Sequence, residues 1–146
     1  MATTKGEDAE ALFRSGWSCS QAVTCAFAKD FGIDEKTALR LSCGLGGGMG
    51  HTGNTCGAVS GALMVIGMKY GRTSIEDLAS KEKTYELAQK FVKEFRARNN
   101  SVNCSELLKY DLSDPEKLKA AREAGVFKMI CPRLVRDAGD ILETLL

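Results

Sequence analysis

The chain has 146 residues, which is the size of a single domain and enough to bury a hydrophobic core without disulfides. Twenty Lys and Arg residues balance nineteen Asp and Glu residues with the signs interleaved, which excludes the strongly basic surfaces of nucleic-acid-binding and membrane-binding proteins. The polar N-terminal stretch MATTKGEDAEALF lacks the apolar core of a secretory signal, so we expect a cytoplasmic protein whose six cysteines serve metal or redox chemistry rather than structural disulfides.

Helical periodicity dominates the chain, and no segment alternates in the manner of a half-buried strand. The pattern predicts an all-α fold, a single compact helical domain over residues 1–146. Six to eight helices are expected around a central apolar helix at about residues 55–70. No internal repeat, low-complexity tract or linker interrupts this domain.

The first half of the chain is predicted to form four helices, covering residues 7–15, 18–31, 34–44 and 55–70. The first ends at Gly16, which suits a left-handed cap. The second begins at Ser18, which has Gln21 at capping-box spacing. The fourth, TCGAVSGALMVIGMKY, is apolar nearly all round, which indicates burial, but it is too short and too rich in glycine to span a bilayer.

The second half is predicted to form a long amphipathic helix and three shorter ones. The long helix covers residues 74–99, and its apolar side consists of Leu78, Tyr85, Leu87, Ala88, Phe91, Val92 and Phe95. A short helix follows at NCSELLKY, and another opens with Asp114 and Pro115. The last is predicted to run from Pro132 to the end of the chain.

Four of the six cysteines fall where a predicted helix begins, namely Cys19, Cys56, Cys104 and Cys131. Capping residues precede the first three, and Cys131 is placed at the N-cap itself because Pro132 belongs at the first helical position. A helix N-terminus offers unpaired N–H groups and a positive dipole end, which favour a thiolate. We therefore predict that these four cysteines converge on one site.

Cys25 and Cys43 lie in mid-helix and at a helix end instead. A buried cysteine without a partner packs as a small hydrophobic side chain. We therefore expect these two to belong to the core rather than to the site.

Electrostatics limit what such a site can hold. One helix terminus stabilises a negative charge by roughly 0.3 to 2 kcal/mol, so four give at most about 8 kcal/mol. Four thiolates about 6 Å apart make six repulsive pairs, which together cost roughly 17 kcal/mol at an effective dielectric constant of about 20. The site must therefore bind a metal or an iron-sulfur centre, form disulfides, or keep most of its thiols protonated.

The cysteine spacing does not decide between these alternatives. Structural zinc usually uses paired C-x2-4-C knuckles, and no two cysteines have that spacing, so zinc is allowed but not favoured. The ferredoxin run C-x2-C-x2-C, the haem-attachment motif C-x-x-C-H and the thioredoxin-type C-x-x-C are also absent. Iron-sulfur ligands need not be adjacent in sequence, provided that the fold brings them together.

Seven glycines crowd the stretch GGGMGHTGNTCGAVSG before and after Cys56. GMGHTG fits G-x-G-x-x-G, but a predicted helix rather than a strand precedes it, so a dinucleotide site is not favoured. Gly57 and Gly61, four residues apart on the central helix, are better explained as a smooth face that lets a neighbouring helix or a bound cofactor approach closely. The glycines of residues 44–50 would let the loop wrap over the site.

His51 is the only histidine and lies in this glycine loop. An exposed histidine without a role is the favoured interpretation, and the alternative is a fourth ligand or proton donor in a three-cysteine site. Met64 and Met68, one turn apart on the apolar helix, are explained by core packing.

Four segments resemble one known family: SGWSCSQAV, GLGGGMGHTGNTCGAVSGALMVIGMKYG, NCSELL and CPRLV. The family comprises small proteins named for the motif C_GCAxxG_C_C, to which a redox role is ascribed, and the similarity extends from about Phe13 to the C-terminus. Its four recurring cysteines correspond to Cys19, Cys56, Cys104 and Cys131, and its central motif to residues 56–58 with Gly61. Cys25 and Cys43 fall outside the pattern.

The resemblance implies a redox protein. A related domain occurs in split-Soret cytochrome c, a dimeric haem protein that also carries an iron-sulfur centre, and only the part that carries the cluster has a counterpart here. This relation extends the expectation to a homodimer and to a redox partner protein that the sequence does not identify.

The leading hypothesis is an iron-sulfur or other metal-thiolate centre for electron transfer, bound by the four cysteines. The alternatives are a metal-free dithiol–disulfide redox protein and a structural zinc-binding module. Whether the protein is an enzyme stays open.

Overall fold

The computed structural model describes residues 2–146. Eight α-helices account for most of them, and within that range no strand forms, although Thr55 and Asn103 make one isolated antiparallel bridge. The helices are α1 Lys5–Arg14, α2 Cys19–Ala28, α3 Glu35–Ser42, α4 Gly57–Tyr70, α5 Leu78–Asn99, α6 Cys104–Leu108, α7 Pro115–Glu123 and α8 Val126–Leu145. The predicted all-α fold is thereby confirmed.

Side-chain caps start four of the eight helices where the sequence predicted them. Ser18 and Gln21 form a complete capping box at α2. Asp34, Asn103 and Asp114 each accept a hydrogen bond from a backbone N–H in the first turn of α3, α6 and α7. Local hydrogen bonding therefore fixes the N-termini of α2 and α6, both of which carry a cysteine of the predicted site.

Helix α4 is the centre of the core, as predicted. Its buried residues include Val59, Val65 and Ile66, and it packs against α2, α5 and α8. Gly61 is where α2 comes closest, since a Cβ there would lie 2.9 Å from the carbonyl oxygen of Ser20. The smooth face predicted for α4 thus admits a neighbouring helix.

Helix α5 differs from its prediction at its N-terminal end. It begins at Leu78, after the N-cap Asp77, instead of at residue 74. Leu78 and Tyr85 are exposed, whereas Leu87, Phe91 and Phe95 are buried. The apolar stripe that faces the core is therefore confined to the C-terminal two thirds of the helix.

The last helix begins six residues before the predicted start. Helix α8 runs from Val126 to Leu145, and Gly125, at φ 72°, precedes it in the left-handed conformation. Pro132 lies inside the helix, where its missing N–H leaves one carbonyl of the preceding turn without its helical hydrogen bond. Burial of the helix face that includes Leu134, Val135 and Ala138 offsets that loss.

Within residues 2–146, no helix is both long enough and apolar enough to cross a lipid bilayer.

Candidate functional site

The structure brings together the four cysteines that the sequence singled out. They line one small cavity whose volume is about 20 Å³, enough for about one water molecule. The lining consists of Cys19, Cys56, Cys104 and Cys131 together with Gly47, Gly57, Leu107, Leu108, Phe127 and Leu134. Gly47, Leu107 and Phe127 are half-buried whereas the other lining residues are buried, so these three form the mouth.

Three of the cysteines lie at helix starts, Cys19 and Cys104 in the first turn as predicted, whereas Cys56 is itself the N-cap instead of following a cap at Asn54 or Thr55. Cys19 and Cys104 are the first residues of α2 and α6, and Cys56 is the N-cap residue of α4. The backbone N–H of Cys56 donates to the carbonyl of Val102 at 2.7 Å, and that of Cys104 donates to the carbonyl of Asn54 at 2.6 Å. These two bonds hold the starts of α4 and α6 side by side.

The fourth cysteine does not occupy a helix N-cap. Because α8 starts at Val126, Cys131 lies in its second turn, and the prediction that it caps a helix beginning at Pro132 is wrong. Its thiol nevertheless reaches the cavity, through the side of the helix rather than through its end. The helix dipole therefore does not favour a thiolate at this position.

Glycines let backbone close over the cysteines. A Cβ on Gly48, whose φ is +70°, would lie 2.6 Å from the Cβ of Cys104. A Cβ on Gly57 would lie 3.2 Å from the Cβ of Cys19, and Gly57 itself lines the cavity. Any larger residue at Gly48 would displace the Cys104 side chain, which explains glycine there. Gly61 contacts α2 and does not line the cavity.

Burial keeps two of the thiols protonated. It raises the pKa of Cys56 to about 12, although the nearby backbone N–H groups of Ala58 and Val59 act in the opposite direction. Burial, followed by the charges of Cys56 and Cys131, raises the pKa of Cys104 to about 12. At neutral pH both side chains are therefore neutral thiols unless a cation replaces the proton.

Cys19 and Cys131 form a hydrogen-bonded pair of unequal acidity. The bond in which Cys19 donates its S–H to the sulfur of Cys131, together with burial, raises the pKa of Cys19 well above its usual value. The same bond lowers the pKa of Cys131 despite its burial. The two thiols therefore share their ionisation, and the first proton lost belongs to the pair rather than to either residue alone.

The other two cysteines lie away from the cavity. Cys25 is half-buried, and burial together with the charge of Glu35 raises its pKa. Cys43 is exposed, so the prediction that it is a core residue is wrong. It follows the last residue of α3, where the chain turns toward the glycine loop and leaves the side chain in solvent.

His51 is exposed, as the favoured interpretation expected. Its ring lies against Gly47 and meets Phe127 edge-on at 6.5 Å between centroids. Its Nε2 lies 3.4 Å from a guanidinium nitrogen of Arg122. His51 thus covers the outside of the cavity wall and is not among its lining residues.

The residues at the mouth of the cavity are not marked by the sequence alone. Phe127 lies four residues before Cys131, so both share one face of α8, but this spacing carries a signal only once the helix is known to begin at Val126. Leu107 follows Cys104 by three residues on α6 and could have been found by the same rule.

Taken as free thiols, the side chains do not surround a single point. Among residues 2–146, no group of three or more His, Cys, Asp or Glu side chains has the geometry to hold one metal ion. All six cysteines are free.

Comparison with known proteins gives one match. A family model described as "Putative redox-active protein (C_GCAxxG_C_C)" matches residues 17–145. No curated protein and no solved structure matches the chain.

Proposed function

The chain belongs to the C_GCAxxG_C_C family of redox-active proteins, and from that premise we propose that it transfers electrons through an iron-sulfur centre bound by Cys19, Cys56, Cys104 and Cys131. The observation that carries the proposal is the convergence of these four side chains, 112 residues apart from first to last (131 minus 19), on one buried cavity. Apart from the four cysteines, only glycine and apolar side chains line this cavity.

The residues fit such a centre by their chemistry. Four sulfurs are the donors that soft metals prefer, and neither carboxylate nor imidazole lines the cavity to compete with them. Gly48 and Gly57 let the backbone lie directly against Cys104 and Cys19, where any side chain would displace the thiols. The N–H groups of Ala58 and Val59 would stabilise the Cys56 thiolate. When bound, an iron-sulfur centre supplies one-electron transfer at a potential that such hydrogen bonds and burial tune.

A centre with several irons demands less of the cysteine geometry than a single zinc ion does. Four thiolates on one zinc ion each lie about 2.3 Å from it, so all four sulfurs must meet around one point. The cysteine side chains do not have that arrangement. A centre with several irons accepts a wider spread of sulfurs, because its ligands do not share one metal atom.

Elemental analysis tests the proposal. Protein purified without oxygen, and reconstituted with iron and sulfide, should contain both elements and absorb visible light. Cys56→Ser should abolish the bound centre, and circular dichroism should show that the variant is folded. The matched control Cys25→Ser should bind as much iron as the wild type, because Cys25 does not line the cavity.

Three results would contradict the proposal. One is colourless, iron-free protein after reconstitution, and another is an equal loss of iron in both variants. The third is one equivalent of zinc that resists oxidation and is needed for folding, which would favour a structural zinc module.

The hydrogen bond between Cys19 and Cys131 favours a second candidate, a metal-free dithiol redox protein. A thiolate of this pair would attack one sulfur of a partner's disulfide and release the other partner sulfur as a thiol. The second cysteine of the pair would then displace the remaining partner thiol from the mixed disulfide, which leaves a Cys19–Cys131 disulfide and a reduced partner. Thiol titration of metal-free protein with and without reductant separates the candidates. Reversible loss of two thiols, mapped to these two cysteines, would support the dithiol mechanism.

A further inference from the structure

A second and larger cavity shares a wall with the cysteine cavity. It opens to the surface and has a volume of about 500 Å³. Its walls include Phe13, Arg14, Trp17, Phe127, Lys128 and Pro132. Phe127 lines both cavities, and Pro132 directly follows Cys131. A molecule in the larger cavity would therefore be separated from the cysteines by a single layer of residues.

Three aromatic side chains surround this opening. Phe13 and Phe127 are half-buried, and Trp17, the only tryptophan, is 38% exposed. Because the Trp17 side chain is partly exposed and lines the cavity, its indole N–H can reach a ligand bound there. Aromatic walls of this kind favour a flat ligand with delocalised electrons, and the indole N–H can bind a carbonyl or ring nitrogen of that ligand.

The charged residues of this cavity are both basic. The Arg14 Nε donates to Glu10 at 2.8 Å, but the Arg14 side chain is 61% exposed, which leaves its terminal nitrogens available. Lys128 makes no ion pair among residues 2–146. No acidic residue lines the cavity. This charge balance favours a ligand with an anionic group.

We propose that this cavity binds a planar aromatic electron carrier that bears an anionic group, chemically a flavin mononucleotide. The ring system packs against Trp17 and Phe127, and the phosphate binds Arg14 and Lys128. The volume lies in the range of about 300 to 1,000 Å³ that small-molecule sites occupy, which suits a nucleotide better than a folded protein partner. The carrier would exchange single electrons across the shared wall with the iron-sulfur centre proposed above, so this step rests on that proposed function.

Calorimetric titration of metal-free protein with flavin mononucleotide tests the site. We expect saturable one-to-one binding that weakens as the salt concentration rises. Trp17→Ala should weaken binding by about tenfold because the ring loses its stacking partner, whereas Trp17→Phe should retain most of the affinity. Tyr85→Ala, which removes an exposed aromatic residue of α5 outside the cavity, should bind as the wild type does.

Riboflavin, which has the same ring without the phosphate, isolates the role of charge. We expect it to bind more weakly than flavin mononucleotide and with little dependence on salt. Lys128→Ala should weaken binding of flavin mononucleotide by up to about fivefold and leave that of riboflavin unchanged.

The absence of saturable binding, or equal affinity in the wild type and Trp17→Ala, would overturn the proposal. Equal affinity for the two flavins would overturn its anionic part. Iron and sulfide measured on the same variants keep the two proposals distinguishable. If the protein binds an iron-sulfur centre but no flavin, that result refutes only the flavin site.

Discussion

Raising the pH should destabilise the metal-free protein through its buried cysteines. In the unfolded chain a thiol ionises near pH 8.5, but in the folded protein Cys56 and Cys104 ionise at about 12. A pKa that folding raises contributes stability that is fully present below about pH 8.5 and is lost as the pH rises toward 12. Between pH 7 and pH 10 the free energy of unfolding should therefore fall by about 2 kcal/mol for each of these two side chains.

Cys56→Ala isolates this effect from the ionisation of lysines and tyrosines. At pH 7 the variant should be less stable than the wild type by about 1 to 2 kcal/mol, because a buried sulfur is lost. At pH 10 that difference should shrink by about 2 kcal/mol, because the variant has no thiol to ionise on unfolding. Urea unfolding followed by circular dichroism, without oxygen and with a phosphine reductant, measures both values.

Cys43→Ala is the matched control, since Cys43 is exposed. Its unfolding free energy should follow that of the wild type at both pH values. Parallel curves for Cys56→Ala and the wild type would refute the reasoning, because they would mean that folding does not hold this thiol neutral.

Two substitution pairs test the packing and the capping behind the site. Gly61→Ala should lower the free energy of unfolding by about 1 to 3 kcal/mol, because the new Cβ would lie 2.9 Å from the Ser20 carbonyl oxygen. Gly67→Ala lies on the same helix but in open space, so it should raise the free energy of unfolding by about 0.5 to 1 kcal/mol. Equal effects in urea unfolding would disprove the close approach of α2 and α4. Asn103→Ala and Asp34→Ala each remove a helix cap, so each should lower the free energy of unfolding by about 1 kcal/mol. Only Asn103→Ala should also reduce the iron content after reconstitution, because Asn103 caps the helix that begins at Cys104. Unchanged iron in Asn103→Ala would show that the cap does not position the cysteine.

The helix starts were predictable because a cap is a local interaction. Ser18, Asp34, Asn103 and Asp114 each bond to an N–H two or three residues along the chain, so sequence spacing alone identifies them. These rules place Cys19 and Cys104 at the starts of their helices, and the glycines around Cys56 mark the start of α4. The convergence of those cysteines was a prediction from their shared position, and the cavity brings them together.

The start of α8 was not predictable from the same rules, because a distant interaction decides it. Proline favours the first turn of a helix, and that preference placed a helix start at Pro132. In the structure Pro132 is buried, and Leu134 and Val135 are buried beside it. Packing of α8 against α1 and α5 stabilises the continuous helix by more than the missing hydrogen bond costs.

The backbone conformation of the glycine loop is a second feature that the sequence does not predict. Met49 and His51 have φ values of 68° and 64°, a conformation that side chains other than glycine rarely adopt. Nothing in the sequence marks these two residues, because their conformation is imposed by loop contacts. One of these is the bond between the Asn54 N–H and the Gly48 carbonyl, at 2.9 Å. The wall of the cavity therefore emerges only with the folded chain.

The protonated state of the site restricts which cation can bind there. At pH 7, removing the proton from a thiol with a pKa of about 12 requires about 7 kcal/mol, so Cys56 and Cys104 together require about 14 kcal/mol. Hard cations such as Mg²⁺ and Ca²⁺ prefer oxygen ligands and cannot supply that free energy through sulfur. A soft metal that forms strong bonds to thiolate can, and its binding would release these protons and weaken as the pH falls. Because deprotonation in this apolar lining is costly, hard cations are disfavoured whatever the coordination geometry.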